Sequence, residues 1–162
     1  MNKKLPLIVL LALCFSFANA QKRKDIKKWK IKSTTEHVTE IIDGKEQSYK
    51  ACMTRFDAEG NTIEEIYYNP NGSIKKHILS KFNANNDLIE EKIYDGTEKL
   101  SEMRILTYNA NEDKNMESSY DGAGKLLSRT TYLYDKNGIK TEKRSLNPEG
   151  KLIESKKYFH AN

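Results

Sequence analysis

Tyr120-Asp121-Gly122-Ala123-Gly124-Lys125-Leu126 places an aromatic residue before an Asx-initiated bend, a Gly at the fourth bend position and an apolar residue two positions on. Each residue has a local reason. An Asp or Asn at the first bend position bonds backbone amides ahead of it, and a Gly at the fourth accepts a left-handed backbone. Together they describe a type I turn closed by a G1 bulge, a common hairpin loop. The same grammar recurs in Phe56-Asp57-Ala58-Glu59-Gly60, Tyr68-Asn69-Pro70-Asn71-Gly72, Tyr134-Asp135-Lys136-Asn137-Gly138 and Asn147-Pro148-Glu149-Gly150.

Working outward, the pattern has a period of 26 residues. Phe56, Phe82, Tyr108 and Tyr134 stand 26 apart, as do Tyr68, Tyr94, Tyr120 and Leu146. Ile74, Leu100, Leu126 and Leu152 form a third column. Gly72, Gly124 and Gly150 form a fourth with Glu98 standing in, and Gly60 and Gly138 a fifth with Asn86 and Glu112 between them. A fixed period across several columns is the signature of a repeat architecture. Five units follow, 30–55, 56–81, 82–107, 108–133 and 134–159, with Asp43-Gly44 as the matching bend of the first. Asn tolerates the left-handed position and Glu does not, so a different or looser turn is expected at Asn109-Ala110-Asn111-Glu112.

Runs of seven to ten residues separate the bends, too short for stable helices and rich in Ile, Thr, Tyr and Phe. Loops this short join only antiparallel neighbours. The expectation is an all-β, up-and-down antiparallel meander of nine to ten strands, built from five double-hairpin repeats as a twisted single sheet or open solenoid-like array. Alternation within strands is poor. Leu88-Ile89-Glu90-Glu91-Lys92-Ile93-Tyr94 carries charge on both faces at its middle and apolar groups at its ends. Two apolar ribbons flanking a polar mid-strip are therefore expected, with the turns rather than the faces setting register.

Residues 1–20 read as a signal peptide. Lys3 and Lys4 form the positive n-region, residues 5–17 the apolar run, and Ala18-Asn19-Ala20 a small-x-small cleavage signal. Cleavage after Ala20 implies a periplasmic or secreted product with no transmembrane span in the mature chain. Formal charge falls from +5 to +3, because Lys3 and Lys4 leave with no acid. Residues 21–29 read as a basic linker and 30–159 as the repeat domain. Lys22, Arg23, Lys24, Lys27, Lys28, Lys30 and Lys32 stand against Asp25 alone. Such a stretch is either a solvated tail or a peripheral contact of 22–32 with an anionic surface. Cys14 leaves with the signal, so no intramolecular disulfide is expected.

The Tyr-Asp and Phe-Asp units at 56–60, 68–72, 120–126 and 134–138 resemble the Tyr-Asp repeat of the Rhs family: an aromatic residue, Asp, two variable residues, Gly, then an apolar residue. Similar hairpin repeats occur in MORN-like antitoxin components. The likeness covers roughly residues 37–159. It implies β-hairpin architecture. Rhs proteins are far longer and enclose a toxin in a closed β shell, and the resemblance carries over no toxin function.

Chemistry-bearing motifs are sparse. His37, His77 and His160 are not at metal-ligand spacing. No Gly-x-Ser-x-Gly elbow, phosphate loop or dinucleotide fingerprint occurs. Glu64-Glu65 and Glu90-Glu91 are adjacent on strands, so each pair points to opposite faces and cannot flank one glycosidic bond. No metal or cofactor is expected, the near balance of charge disfavours nucleic acid, and the chain reads as a non-enzyme. The aromatic columns are the candidate binding surface: Phe56, Phe82, Tyr108, Tyr134, Tyr68, Tyr94 and Tyr120 could stack on sugar rings. The leading expectation is an extracytoplasmic repeat module binding a protein or glycan of the cell envelope. The alternative is an antitoxin- or immunity-like protein that neutralises a toxin partner.

Overall fold

The computed structural model describes residues 20–161; the signal peptide expected over residues 1–20 falls, but for Ala20, outside the described residues. One helix, α1 (Ala20–Lys28), precedes ten strands: β1 (Ser33–Ile42), β2 (Lys45–Phe56), β3 (Thr62–Tyr68), β4 (Ile74–Phe82), β5 (Leu88–Asp95), β6 (Leu100–Tyr108), β7 (Lys114–Asp121), β8 (Leu126–Tyr134), β9 (Lys140–Leu146) and β10 (Leu152–Lys157). They form one sheet in strictly sequential order, each strand antiparallel to the next. The expected meander is the observed fold, and the sheet is open, not closed.

The turns explain this order. In each bend after β2, the first residue's amide donates to the carbonyl four residues on, and the fourth residue's amide donates back to the first residue's carbonyl. Asp121 N–H to Lys125 O is 2.9 Å and Gly124 N–H to Asp121 O is 3.0 Å. The Asx side chain adds two more bonds, as Asp121 Oδ1 accepts from the Ala123 and Lys125 amides at 2.9 Å each. Asp57, Asn83, Asp95, Asn109 and Asp135 repeat both contacts. The turn at Asn109 is thus not looser, contrary to expectation. Glu112 takes the left-handed backbone, φ 65°, because Asn109 clamps the amides on either side of it and Asn85 Nδ2 donates to its carboxylate at 3.0 Å. The first bend is tighter: Asp43 and Gly44 both have positive φ (51° and 75°), as a two-residue hairpin requires.

Successive bends alternate between two rims. One rim carries the bends at 57–60, 83–86, 109–112 and 135–138. The other carries those at 43–44, 69–72, 95–98, 121–124 and 147–150. The ladder shifts register next to eight of these bends, at Phe56, Tyr68, Phe82, Tyr94, Tyr108, Tyr120, Tyr134 and Leu152. The aromatic columns of the sequence are therefore the residues that face the bulges.

A single layer buries little. Among the described residues the buried apolar side chains are Ile26, Cys52, Phe56, Ile78, Ile93 and Leu106, and no large side chain is sealed from solvent. Register places Cys52, Ile78, Ile93 and Leu106 on one face, with Ile78 directly opposite Ile93. This modifies the expected pattern. Ile78 is buried at mid-strand, because a strand inside the sheet is shielded on both flanks, whereas the column residues Leu152 and Leu146 sit towards the C-terminal edge and Leu152 is exposed. Stability in such an array is a sum of nearest-neighbour strand contacts.

The stretch 21–29, expected as a basic linker, is helical over Ala20–Lys28 and docks on the first rim. The helix ends in a Schellman-type cap: Lys30 is left-handed (φ 52°) and the Ile31 amide reaches Ile26 O at 3.0 Å. Ile26 is buried, and Arg23 O lies so close to Gly60 that a β-carbon there would sit 2.6 Å from it. Arg23 donates to Asn61, and Lys27 pairs with Glu59. The Phe56 amide then bonds Lys32 O at 2.9 Å, tying the chain after the helix to β2.

Candidate functional site: two aromatic columns on opposite faces

Strand alternation sorts the seven candidate aromatics into two groups. Phe56, Phe82, Tyr108 and Tyr134 share the face of Ile78 and Ile93 and lie along one rim. Tyr68, Tyr94 and Tyr120 lie on the other face along the other rim. The sequence placed them in one candidate surface; the structure separates them into two.

The first column is committed to the sheet. Phe56 is buried. Tyr108 Oη donates to Leu88 O at 2.9 Å and Tyr134 Oη to Lys114 O at 2.8 Å, each reaching the start of a neighbouring strand. Burial raises both phenol pKa values. Phe82, half-buried, is paired with Leu88 across the bulge.

The second column is half-buried and more open in its hydrogen bonding. Lys50 Nζ donates to Tyr68 Oη at 3.0 Å and lies 4.3 Å from the ring centroid. Tyr94 packs at 5.7 Å, tilted, on His77, whose Nε2 pairs with Glu64 at 2.9 Å. Arg55 reaches the other oxygen of Glu64, also at 2.9 Å. Adjoining these rings are Met53, Ile66 and Met103, opposite or beside them in register. Successive tyrosines of this column are two strands apart, about 10 Å.

Between the rims, the expected polar mid-strip appears on the face of Ile78 as a network of paired charges. Arg104 bridges Glu102 (2.8 Å) and Glu91 (3.1 Å), and Ser119 Oγ donates to Glu102 at 2.8 Å. The hydrogen bond from Arg104 holds Glu102 below the usual carboxylate range. Burial raises Glu91 despite Arg104. One repeat further, burial of Glu117 is the largest single influence, yet the hydrogen bond (2.9 Å) and charge of Lys114, the Tyr132 hydroxyl and the charge of Arg104 together outweigh it, and its pKa is lowered. As foreseen, Glu64 and Glu90 lie on the face opposite Glu65 and Glu91. Strand register was the missing signal for the strip: Glu91, Arg104 and Ser119 meet only when β5, β6 and β7 are aligned.

Among the described residues two polar side chains are buried, Asn61 and Ser118. Asn61 is fully engaged: its Nδ2 bonds Asp57 (2.9 Å) and Asn86 (2.8 Å), and its Oδ1 accepts from Arg23. Among the described residues, no three of His, Cys, Asp and Glu come together as a metal ion would need. No helix among them is long and apolar enough to cross a membrane.

No protein-family model matches the chain, and no curated protein matches it. Solved structures do. S. aureus TarM, in a complex with fondaparinux, alpha-GlcNAc-glycerol and UDP, matches at a TM-score of 0.30 and 18% identity over 86% of this chain. A GtfA/B complex bound to UDP and GlcNAc matches at 0.28 and 11% over 76%. The TcdB2-TccC3-Cdc42 structure matches at 0.23 and 12% over 80%. This chain spans 24% of the TarM and GtfA/B chains and 10% of the third.

The expectation of a non-enzyme is withdrawn: two of the matched structures hold UDP together with GlcNAc or a GlcNAc compound. A missing motif in a segment that matches a quarter of such chains is no test of activity, since catalytic groups can stand elsewhere along their length. At these TM-scores the likeness assigns no activity to this chain either.

Proposed function

We propose that the chain is an extracytoplasmic repeat module that binds an extended glycan of the cell envelope along the face bearing Tyr68, Tyr94 and Tyr120. The observation that supports this reading is the spacing of that column. Two strand intervals make about 10 Å, close to the length of two linked pyranose rings, so one repeat of sheet would meet one disaccharide. Tyr rings present an apolar face with a polar tip, which suits stacking on sugar rings. His77, Glu64 and Arg55 supply hydrogen-bonding groups beside Tyr94. The export signal read in residues 1–20 directs the product to the periplasm or beyond. We assign the repeat unit to the Tyr-Asp type, on the aromatic-Asx pairs that open its bends.

Calorimetric titration with oligosaccharides of increasing length tests this reading, using chitohexaose and soluble peptidoglycan fragments as probes. Affinity should rise with each added disaccharide and fall about tenfold in Tyr94→Ser. Length-independent binding, or binding unchanged in Tyr94→Ser and Tyr120→Ser, overturns it.

A further inference from the structure

The helix at the first rim presents a surface of a different chemistry. Its docked side is occupied: Ile26 is buried, Arg23 meets Asn61, and Lys27 pairs with Glu59. Lys24 and Lys28 stand one turn apart on a flank and are exposed. Trp29, directly after the helix, is 68% exposed, with Lys28 Nζ 5.0 Å above its ring. Lys30 and Lys32 follow. Where the helix meets β2 there is a cleft of about 570 Å³ with an apolar floor of Ile26, Ile31, Phe56 and Ala58. Lys27, Lys30, Lys32, Arg55 and Asp57 complete its lining, with Lys27 and Arg55 paired to Glu59 and Glu64 and Lys30 and Lys32 left unpaired among the described residues.

This is not the geometry of a solvated tail. Docking fixes the helix, caps it and holds an indole out into solvent among four lysines that form no ion pair among the described residues. An exposed tryptophan beside a cationic cluster is the side-chain pair that settles at a bilayer's headgroup level, the ring at the apolar boundary and the cations on phosphate. A hydrophilic polyanion could neutralise the lysines, but it has nothing to offer Trp29 or the apolar floor of the cleft.

We propose that the corner formed by α1, Trp29 and the start of β2 is a peripheral docking surface for an anionic lipid bilayer. Trp29 enters the interface and Lys24, Lys28, Lys30 and Lys32 contact lipid phosphates. The sheet then stands away from the membrane, its tyrosine faces free. The surface is independent of the glycan reading, since none of its residues belongs to the Tyr68–Tyr94–Tyr120 column.

Trp29 is the single tryptophan of the chain, so its emission reports this corner alone. The protein is purified from its host with the processing of residues 1–20 that the cell performs. It is then titrated with vesicles of phosphatidylcholine alone and of phosphatidylcholine mixed with phosphatidylglycerol. A blue shift of Trp29 emission that requires the anionic lipid and is reversed by salt is the expected result. Replacing Lys24, Lys28, Lys30 and Lys32 together by Gln should lower partitioning at least about tenfold while leaving the circular dichroism spectrum unchanged. Equal shifts on both vesicles, no shift on either, or an undiminished shift in the four-Gln variant overturns the proposal. So does polyphosphate binding that matches the vesicles in affinity while vesicles leave the emission unshifted, which would mark a polyanion site instead.

Discussion

Tyr134 donates its phenol hydrogen to the backbone carbonyl of Lys114, 2.8 Å away, and one repeat earlier Tyr108 does the same to Leu88 at 2.9 Å. Donor and acceptor both advance by 26 residues, so the contact is a property of the repeat and not of one hairpin. Each hydroxyl satisfies a carbonyl at a strand's first residue. Tyr134→Phe or Tyr108→Phe should each cost about 1 kcal/mol, because water can partly replace the lost bond at a rim. Urea unfolding followed by circular dichroism measures this, and equal losses at the two sites are expected.

The second rim relies on close backbone approach. A β-carbon at Gly122 would stand 1.8 Å from Leu100 O, and one at Gly96 would stand 2.6 Å from Ile74 O. Gly124, with φ 83°, has nothing within 4 Å. Gly122→Ala should therefore cost more than Gly124→Ala, which loses only the left-handed backbone, about 1 kcal/mol. The converse applies at Glu98, a non-glycine at φ 62°. Glu98→Gly should stabilise the protein by about 0.5–1 kcal/mol. Thermal unfolding of the three variants gives their order.

Much of this was legible in the sequence because the bends carry it. An Asx at the first position and Gly, Asn or Glu at the fourth recur on a strict interval, and those residues make the hydrogen bonds that fold each hairpin. Glu112 misled, because a side chain clamp from Asn109 can hold even a β-carbon-bearing residue left-handed. The aromatic columns were visible, yet their division between faces was not: it follows from strand parity on either side of a bulge. The helix at Ala20–Lys28 was hidden because its stabilising partners stand far along the chain, Asn61 at 38 residues from Arg23 and Glu59 at 32 from Lys27.

The charged strip gives a two-signed response to acid. Burial raises the pKa of Glu91, so its ionised form is disfavoured in the fold, and that penalty is relieved as pH falls through its folded value towards 4.5. Glu102 is lowered, chiefly by its hydrogen bond from Arg104, so its contribution is present above 4.5 and is lost as pH falls below that. Stability against urea should rise slightly and then fall on acidification. Glu91→Gln should abolish the rise and spare the fall, and Glu102→Gln should blunt the fall.

Docking of the helix depends on Gly60 and Asn61. A side chain at Gly60 would collide with Arg23 O, and Asn61 holds Arg23, Asp57 and Asn86 together while buried. Gly60→Ala should free residues 20–32 while the sheet persists. Faster trypsin cleavage at Lys27 and Lys28 and lower fluorescence anisotropy of Trp29 would register this, with the β-sheet circular dichroism signal retained.

The sequential open meander is tested most directly by distances along one column of the repeat. Spin labels on cysteines replacing Ser73 and Lys125, or Ser73 and Lys151, with Cys14 and Cys52 substituted, span two and three repeats of exposed loop positions. At two strand intervals per repeat, pulsed electron resonance should give about 19 Å for the first pair and about 29 Å for the second. A second distance equal to or shorter than the first would show a closed or differently ordered sheet and contradict the account.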